Sequence, residues 1–301
     1  MTMSVILITG AGTGIGNLTA RALAQAGHRV YASMRSPEGR NAANARSLRE
    51  SAAAEGLDLH VVELDVASQD SADRAVAAVL DQAGSLDVVI HNAGHLVVGY
   101  VEAFTAEELA HLIDVNTLGV HRLNRAVLPH LRAEGRGTLM YVGSTTSITT
   151  PPFLGPYVVS KAAMDYLALA TSYEVGPLGI ETVIVMPGAF TQGTDHFPKA
   201  GRPADATGVT AGYRILDPLV ARNAEATDGL FTPGTTADPA LVGREITRIL
   251  ALPYGQRPLR SVVDLTNSDA LVEQANAAVF EARTDFVRRL GFGDVLRVGR
   301  A

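Results

Sequence analysis

The sequence predicts an α/β fold in which about seven parallel strands form one doubly wound sheet with helices on both faces. Short β-branched runs alternate along the chain with longer, Ala-rich segments of helical apolar spacing. This is the order that a parallel sheet with crossover helices requires. The composition is 47% hydrophobic and 19% charged, which provides enough apolar surface for a sizeable core. A chain of 301 residues is long enough to form one large α/β domain.

The individual elements follow from these patterns in chain order. Strands are predicted near residues 4–9, 29–34, 59–64, 86–92, 138–143, 180–186 and 260–265. Helices are predicted over residues 14–27, 41–55, 70–83, 105–133, 157–176, 239–251 and 268–290. Several of these helices follow a Gly, Thr or Ser that can cap the first turn.

The regular spacing fails between residues 190 and 239, where Gly, Pro, Thr and Asp recur. An irregular segment of this length inside a compact domain is typical of a lid or binding segment. The sequence contains no internal repeat and no long Gly- and Ser-rich linker. We therefore predict a single domain over 1–301, with a substrate-loop insertion at 190–239 and a C-terminal helical extension at 268–301.

Charge and cysteine content exclude several classes of protein. The chain has 31 acidic and 25 basic residues and a net charge of −6, so it lacks the strong positive field that would hold nucleic acid or anionic lipid. It has no cysteine, which excludes disulfides, thiolate zinc sites and thiol nucleophiles. No apolar stretch reaches the roughly 18 residues of a spanning helix. We expect a cytoplasmic protein that acts on a small molecule, with no nucleic-acid or membrane partner.

The first predicted strand runs into a glycine-rich turn and then a helix. The turn consists of Thr9, Gly10, Ala11, Gly12, Thr13, Gly14, Ile15 and Gly16. Glycines let the backbone approach a pyrophosphate closely, and the helix N-terminus directs free N–H groups toward it. A tight turn that happens to be rich in glycine is the alternative. The position in the first βα turn favours the dinucleotide site of a Rossmann fold.

The end of the second strand predicts which dinucleotide is bound. An acidic side chain there would bind the ribose 2′-hydroxyl of NAD(H), whereas an arginine would favour the 2′-phosphate of NADP(H). Residues 31–36 contain no Asp or Glu but include Arg35, and Ser33, Ser36 and Arg40 can add donors. The sequence thus predicts NADP(H) in preference to NAD(H), which stays possible. The alternative is that Arg35 is simply a solvated charge after a strand.

Tyr157 and Lys161 stand four residues apart at the start of a predicted helix, on one helix face. With 8 Tyr in the chain and Lys161 and Lys199 as the two lysines, about 0.05 such pairs are expected by chance. A nearby ammonium favours the tyrosinate, so the phenol can exchange a proton with a substrate near working pH. Ser144 ends the fifth strand at the carboxyl edge, where its hydroxyl can hold a substrate oxygen. The alternative for Tyr157 and Lys161 is an ordinary surface pair. The alternative for Ser144 is a serine that only caps a turn.

Together these motifs resemble the short-chain dehydrogenase/reductase family, in its single-domain branch, over nearly all of residues 4–265. The resemblance implies a catalytic tetrad of Asn116, Ser144, Tyr157 and Lys161. It also implies cofactor contacts from the glycine loop and from Asp65, Val66, Asn92, Ala93, Gly94, Tyr157, Lys161, Pro187 and Gly188. Where most members have an Asn before Asn92, this chain has His91. Most members also have a Thr five residues after the proline, where this chain has Gln192. We expect Thr191 to make that contact, with Thr194 as the alternate.

The resemblance implies hydride transfer between nicotinamide and a carbonyl or alcohol carbon, with Tyr157 as the general acid/base. Lys161 would lower the phenol pKa and bind the nicotinamide ribose, and Asn116 would hold a proton-relay water. It also implies a homo-oligomer, a dimer or tetramer, with the helix over 158–169 in the interface. A non-catalytic dinucleotide sensor and a nucleotide-sugar epimerase or dehydratase are the alternatives.

The substrate is predicted to be an apolar ketone or secondary alcohol. The side chains expected to line its site are His95, Thr145, Thr146, Phe190 and Phe197. His91 and His95 have a ligand-like spacing, but it spans a strand end and a loop, and no carboxylate adjoins it. We therefore expect no metal site.

Overall fold

The computed structural model describes residues 3–194, 196–205 and 207–298. The strands are β1 (Val5–Ile8), β2 (Arg29–Met34), β3 (Leu59–Glu63), β4 (Val88–His91), β5 (Gly137–Val142), β6 (Ile180–Pro187) and β7 (Arg260–Val263). They form one parallel sheet in the order β3-β2-β1-β4-β5-β6-β7. The predicted doubly wound sheet of seven strands is confirmed. Its strand order reverses between β1 and β4, which opens a crevice at their carboxyl ends.

Eleven α-helices connect or follow the strands in the described part of the chain. They are α1 (Gly14–Gln25), α2 (Ala42–Glu55), α3 (Gln69–Ala83), α4 (Ala106–Ile113), α5 (Gly119–Glu134), α6 (Thr146–Thr149), α7 (Gly155–Val175), α8 (Asp217–Ala221), α9 (Asn223–Asp228), α10 (Ala240–Leu250) and α11 (Asp269–Arg289). In this part of the chain, no helix combines the length and the apolar character needed to cross a membrane.

The core lies in two layers, one on each face of the sheet. Successive side chains of a strand point to opposite faces. Val5 and Leu7 of β1 therefore pack with α3, α5 and α7, whereas Ile6 and Ile8 pack with α1, α2 and α10. Both faces of the central strands are buried, which explains their continuous apolar runs.

One predicted helix is interrupted in the structure. The apolar spacing predicts a single helix over 105–133, but α4 ends at Ile113 and a turn of π-helix, Asp114–Leu118, precedes α5. The chain stays helical through this π-turn, so α4 and α5 form one interrupted helical segment. Asn116 lies in the turn and is buried.

The insertion after β6 lies against the loop that follows β4. Gly201 pairs with Val97 in an isolated parallel bridge. Tyr100 stacks on Tyr213 at 4.7 Å between ring centroids, and its hydroxyl donates to Asp217 at 2.8 Å. Part of the segment predicted to be irregular is helical, since it contains a 3₁₀ helix over Val209–Leu216 as well as α8 and α9.

Candidate active site

A cavity of about 770 Å³ opens at the carboxyl ends of β1, β4, β5 and β6. This is the edge at which parallel α/β sheets bind ligands, and the volume falls within the range typical of cofactor and ligand sites. The glycine loop after β1 lines one part of the cavity. The residues after β4, β5 and β6 line the other parts.

The glycine loop leaves the N-terminus of α1 open to the cavity. Gly14, Ile15 and Gly16 line it. Among the described residues, no side chain caps the helix at Thr13 and no acidic residue stands in its first turn. A Cβ on Gly16 would lie 2.4 Å from Asn92 Nδ2 and 2.5 Å from the oxygen of Gly10, so only glycine fits there. The free N–H groups and the positive end of the helix dipole suit a phosphate.

Thr9 was predicted to contact the cofactor, but its side chain bonds to the backbone of the loop after β4. Its buried hydroxyl accepts hydrogen bonds from the backbone N–H groups of Asn92 and Ala93, each at 2.9 Å, and it does not line the cavity. Asn92 Nδ2 in turn donates to the oxygens of Thr9 at 2.9 Å and Gly10 at 3.1 Å. These bonds lock the glycine loop against the end of β4.

The far end of the cavity follows β2 and β3. Arg35, Asp65 and Val66, the residues predicted to face the adenosine half of a dinucleotide, line it. Ser36 does not line the cavity, because it sits in a left-handed turn with φ +46° and faces solvent. Asn41, which no sequence motif indicates, also lines the cavity, and its side chain donates to the oxygen of Arg35.

Ser144, Tyr157 and Lys161 meet at the cavity wall, and all three are buried. Helix α7 begins at Gly155 with a proline in its first turn, which places Tyr157 and Lys161 one turn apart on the same face. Lys161 Nζ donates to the oxygen of Val142 at 2.9 Å and lies 6.0 Å from the centroid of the Tyr157 ring.

Burial controls the charge state of these side chains. It raises the pKa of Tyr157 to about 12, and the hydrogen bond with Ser144 opposes that rise only in part. Burial lowers the pKa of Lys161 to about 8. The loss of water around the phenolate thus dominates, and the net shift of the phenol pKa is upward, opposite in direction to the lowering by Lys161 that the resemblance implies.

Asn116 is held behind the cavity and does not line it. Its Oδ1 accepts from the backbone N–H of His95 at 3.0 Å, and its Nδ2 donates to the oxygen of His95 at 3.0 Å and to Ser160 Oγ at 2.9 Å. The side chain thereby ties the loop after β4 to α7, close to Gly94 on the cavity wall.

His91 and His95 point to different surroundings. The His91 ring stacks on Tyr141 at 4.8 Å and its Nε2 lies 2.8 Å from Asn124 Oδ1, while Asn124 Nδ2 donates to the Tyr141 hydroxyl at 3.1 Å. Burial lowers the pKa of His91 to about 4, so the ring is neutral at pH 7. His95 lines the cavity, and the centroid of its ring lies 5.8 Å from that of His111. Within the described ranges, no three His, Asp or Glu side chains are grouped as a metal site.

The predicted substrate-side residues all reach the cavity. They are His95, Thr145, Thr146, Phe190 and Phe197. Pro187 and Gly188 also line it, and a Cβ on Gly188 would lie 2.3 Å from Asp264 Oδ1. The hydroxyl of Thr191, the residue predicted for the nicotinamide-side contact, donates to Asp228, and Thr191 is not on the cavity wall. The alternate, Thr194, does line the cavity.

His196 is the most important residue that sequence reasoning missed. Its Nε2 lies 3.3 Å from the Tyr157 hydroxyl, and it lines the cavity. His111 was also missed and lies on the same wall. No motif precedes or surrounds His196 in the sequence, and only the path of the insertion brings it to Tyr157.

Comparison with known proteins identifies the family. Residues 4–202 match the family model described as short chain dehydrogenase. The chain is 34% identical over 197 residues to a 3-ketodihydrosphingosine reductase of Bacteroides thetaiotaomicron, which covers 65% of this chain and 68% of that protein. The chain therefore belongs to the short-chain dehydrogenase/reductase family. It is an oxidoreductase whose fold binds a nicotinamide dinucleotide.

Two solved structures are similar over most of the chain. A short-chain dehydrogenase from Streptomyces avermitilis is 27% identical with a TM-score of 0.69, and the match covers 97% of this chain and 99% of that one. An alcohol dehydrogenase from the archaeon Thermococcus sibiricus, complexed with 5-hydroxy-NADP, is 26% identical with a TM-score of 0.67 over 87% of this chain and 96% of that one.

Proposed function

We propose that this chain transfers a hydride between NADP(H) and a carbonyl or secondary alcohol carbon of an apolar substrate, with Tyr157 as general acid/base. The observation that carries the proposal is the position of Tyr157, Ser144 and Lys161 on the wall of the same cavity that the glycine loop lines. A proton-transfer group thereby adjoins a cradle suited to a dinucleotide.

The residues present fit such a cofactor. The open N-terminus of α1 would hold the pyrophosphate, and Asp65 and Val66 would contact the adenine. Lys161 would bind the nicotinamide ribose, with Pro187 and Gly188 beside the nicotinamide. When bound, the nicotinamide supplies or accepts the hydride, and this chain supplies position and charge.

Reduction is the direction that the charge states favour. The raised pKa of Tyr157 keeps the phenol protonated at neutral pH, so it can donate its proton to a carbonyl oxygen. Ser144, which is hydrogen-bonded with Tyr157, would hold the same oxygen. Lys161 is positively charged below about pH 8 and stabilises the phenolate that remains after the transfer.

Arg35 supports the preference for NADP(H) over NAD(H). It lines the cavity directly after β2, and residues 31–36 include no carboxylate that would repel a 2′-phosphate. The similar alcohol dehydrogenase from Thermococcus sibiricus was solved with an NADP derivative.

Location and assembly belong to the same proposal. We infer a cytoplasmic homo-oligomer, a dimer or tetramer, that acts on small molecules without nucleic-acid or membrane partners. The net charge of −6 and the absence of cysteine support these inferences. Val159 and Tyr166 on α7 are 49% and 67% exposed, and this apolar face supports a subunit interface.

The test is a titration with NADPH and with NADH, followed through nicotinamide fluorescence, and then a panel of ketones and aldehydes. We expect tighter binding of NADPH and its oxidation by an apolar carbonyl compound. Tyr157→Phe should bind NADPH normally and lose about 10³-fold in turnover, because the proton donor is gone. Retained activity in this variant would remove Tyr157 from the proton role.

Two other outcomes would support a different function. Binding without oxidation of NADPH by any compound would support a dinucleotide sensor. Turnover of a nucleotide sugar without net consumption of the cofactor would support an epimerase or dehydratase.

A further inference from the structure

The insertion after β6 places one polar side chain next to the proposed proton donor. His196 Nε2 lies 3.3 Å from the Tyr157 hydroxyl, and the two rings meet edge to face at 5.6 Å and 69°. Both side chains line the cavity. A carbonyl oxygen that accepts a proton from Tyr157 must therefore enter within reach of the imidazole.

The position of His196 is fixed on several sides. Its backbone N–H donates to Thr194 Oγ1 at 3.3 Å, and the next residue, Phe197, packs against an apolar cluster that includes Leu154 and Tyr157. A few residues later the chain is anchored, because the N–H of Gly201 donates to the oxygen of Leu96 at 2.8 Å. These contacts hold the His196 imidazole in place on the cavity wall.

His196 is uncharged at pH 7. Burial and the charges of Lys161 and His95 lower its pKa to about 4. A neutral imidazole has one N–H donor and one nitrogen acceptor. It can therefore pair with either a hydroxyl or a carbonyl oxygen of a ligand, and it offers no charge that would attract an anion.

Apolar side chains line the cavity near Tyr157, among them Leu96, Leu154 and Phe197. The polar side chains of His95, Thr145 and Thr146 line the cavity too. A simple ketone has one oxygen, which pairs with Tyr157, and it offers no partner to the half-buried imidazole of His196. A second oxygen on the substrate, placed beside the reacting one, would add a hydrogen bond with His196.

We propose that His196 selects carbonyl compounds that carry an oxygen on the carbon next to the reacting carbonyl, such as vicinal diketones and α-hydroxy ketones with apolar chains. Oxygens on adjacent carbons are separated by roughly the length of a hydrogen bond, which matches the distance between the His196 and Tyr157 polar atoms. This inference rests on the proposed function and names the substrate class of the same site.

The reaction balances with the cofactor already proposed. The reacting carbonyl gains a hydride from NADPH at carbon and a proton from Tyr157 at oxygen, and becomes a secondary alcohol. The second oxygen keeps its bonds and pairs with His196. A diketone thus gives an α-hydroxy ketone and NADP⁺, and Tyr157 regains its proton from solvent.

The experiment compares three substrates of equal chain length: 2-hexanone, 2,3-hexanedione and 2,4-hexanedione. Each is reduced with NADPH by the wild type, by His196→Phe, which keeps a flat ring without hydrogen bonds, and by His196→Gln, which keeps a donor and an acceptor. His121→Phe is the matched control, since His121 is exposed on α5 and outside the cavity. Because diketones are intrinsically more reactive, the readout is the change between variants in the ratio of kcat/KM values.

We expect His196→Phe to lower the ratio of 2,3-hexanedione to 2-hexanone by roughly 10- to 100-fold, the effect of leaving a buried polar group unpaired. His196→Gln should recover part of that loss, and His121→Phe should leave the ratio unchanged. The affinity of His196→Phe for NADPH and its midpoint of urea denaturation should stay close to those of the wild type, which shows that the variant is folded.

An unchanged ratio in His196→Phe would overturn the inference. So would an equal loss for all three substrates, which would make His196 a positioning residue for Tyr157, and so would an effect confined to 2,4-hexanedione. A wild type that binds NADPH but reduces none of the three would overturn the proposed reduction of such ketones, and this inference with it.

Discussion

The side chain that meets a 2′-phosphate decides between the two nicotinamide dinucleotides. Arg35 follows β2, is exposed and lines the cavity. Its guanidinium can bind a phosphate in a bidentate manner, whereas the ribose of NAD(H) gives it no charged partner. Cofactor preference in this chain is therefore expected to depend on this one residue.

We predict that Arg35→Asp weakens NADPH binding by about 100-fold and changes NADH binding by less than about threefold, because a carboxylate repels the phosphate and can accept from a ribose hydroxyl. Fluorescence titration measures both dissociation constants. Arg46→Asp makes the same change of charge on α2, outside the cavity wall, and should affect both cofactors weakly. Equal losses of NADPH and NADH in Arg35→Asp would mean that Arg35 does not face the phosphate.

Single residues could be predicted from the sequence where spacing along one element fixes their geometry. Tyr157 and Lys161 share a helix face, so their position one turn apart on that face follows from their separation alone. His196 and Thr191 lie on an irregular loop, where spacing fixes nothing. The hydroxyl of Thr191 therefore binds Asp228, and His196 reaches Tyr157 through the path of the insertion.

At the level of elements, the turn between β1 and α1 is held in contact with the end of β4. Gly10 has φ +65°, and a Cβ there would lie 2.8 Å from the Cα of Ala93. Gly56, at the end of α2, has the same φ of +65° but nothing within 4 Å of such a Cβ. A comparison of substitutions at Gly10 and Gly56 therefore separates the cost of backbone strain from the cost of a close contact between two elements.

We predict that Gly56→Ala costs about 1 kcal/mol of unfolding free energy, the usual cost of a left-handed alanine. Gly10→Ala should cost about 3 kcal/mol, since the backbone of the loops that follow β1 and β4 must also move apart. Urea denaturation measures both values. Gly10→Ala should also weaken NADPH binding at least tenfold, while Gly56→Ala should not. Similar costs and unchanged binding in both variants would show that the contact with Ala93 is not needed.

Most elements could be predicted from the sequence because their periodicity is local. The predicted strand near 29–34 coincides with β2, and the strand predicted near 180–186 differs from β6 by one residue. The break between α4 and α5 could not be predicted, because the chain stays helical through the π-turn and no non-helical residue marks it. The short helices of the insertion lack a continuous apolar face and gave no such signal.

Across the whole molecule, buried and half-buried histidines couple folding to pH. His28, His91, His95 and His196 all have a pKa lowered from the ordinary value, with burial as the largest cause. In the unfolded chain each takes up a proton near pH 6.5, whereas the folded chain resists protonation until lower pH. Between these values the unfolded state binds more protons, so the free energy of unfolding falls as the pH falls.

His91 shows which part of this behaviour the sequence could not predict. The sequence shows that His91 replaces the family's usual Asn. The effect of this replacement on the pKa of the ring depends on its packing with Asn124 and Tyr141, which lie on α5 and β5. Packing against these elements removes the ring from water and from the cavity. The residue acts on the stability of the fold and does not contact the site.

We predict that His91→Asn makes the protein less sensitive to acid. The pKa of His91 falls from 6.5 to about 4 on folding, so the wild type loses stability from this residue as the pH falls from 6.5 toward 4. At pH 5 this loss is about 2 kcal/mol relative to pH 7.5, from about 1.4 kcal/mol per pH unit below 6.5. In His91→Asn, the difference in unfolding free energy between pH 7.5 and pH 5 should shrink by that amount, even though the smaller side chain lowers stability at pH 7.5. Urea denaturation at the two pH values measures it, with His121→Asn on the exposed face of α5 as the control. A pH difference unchanged from the wild type would show that His91 can accept its proton within the folded protein.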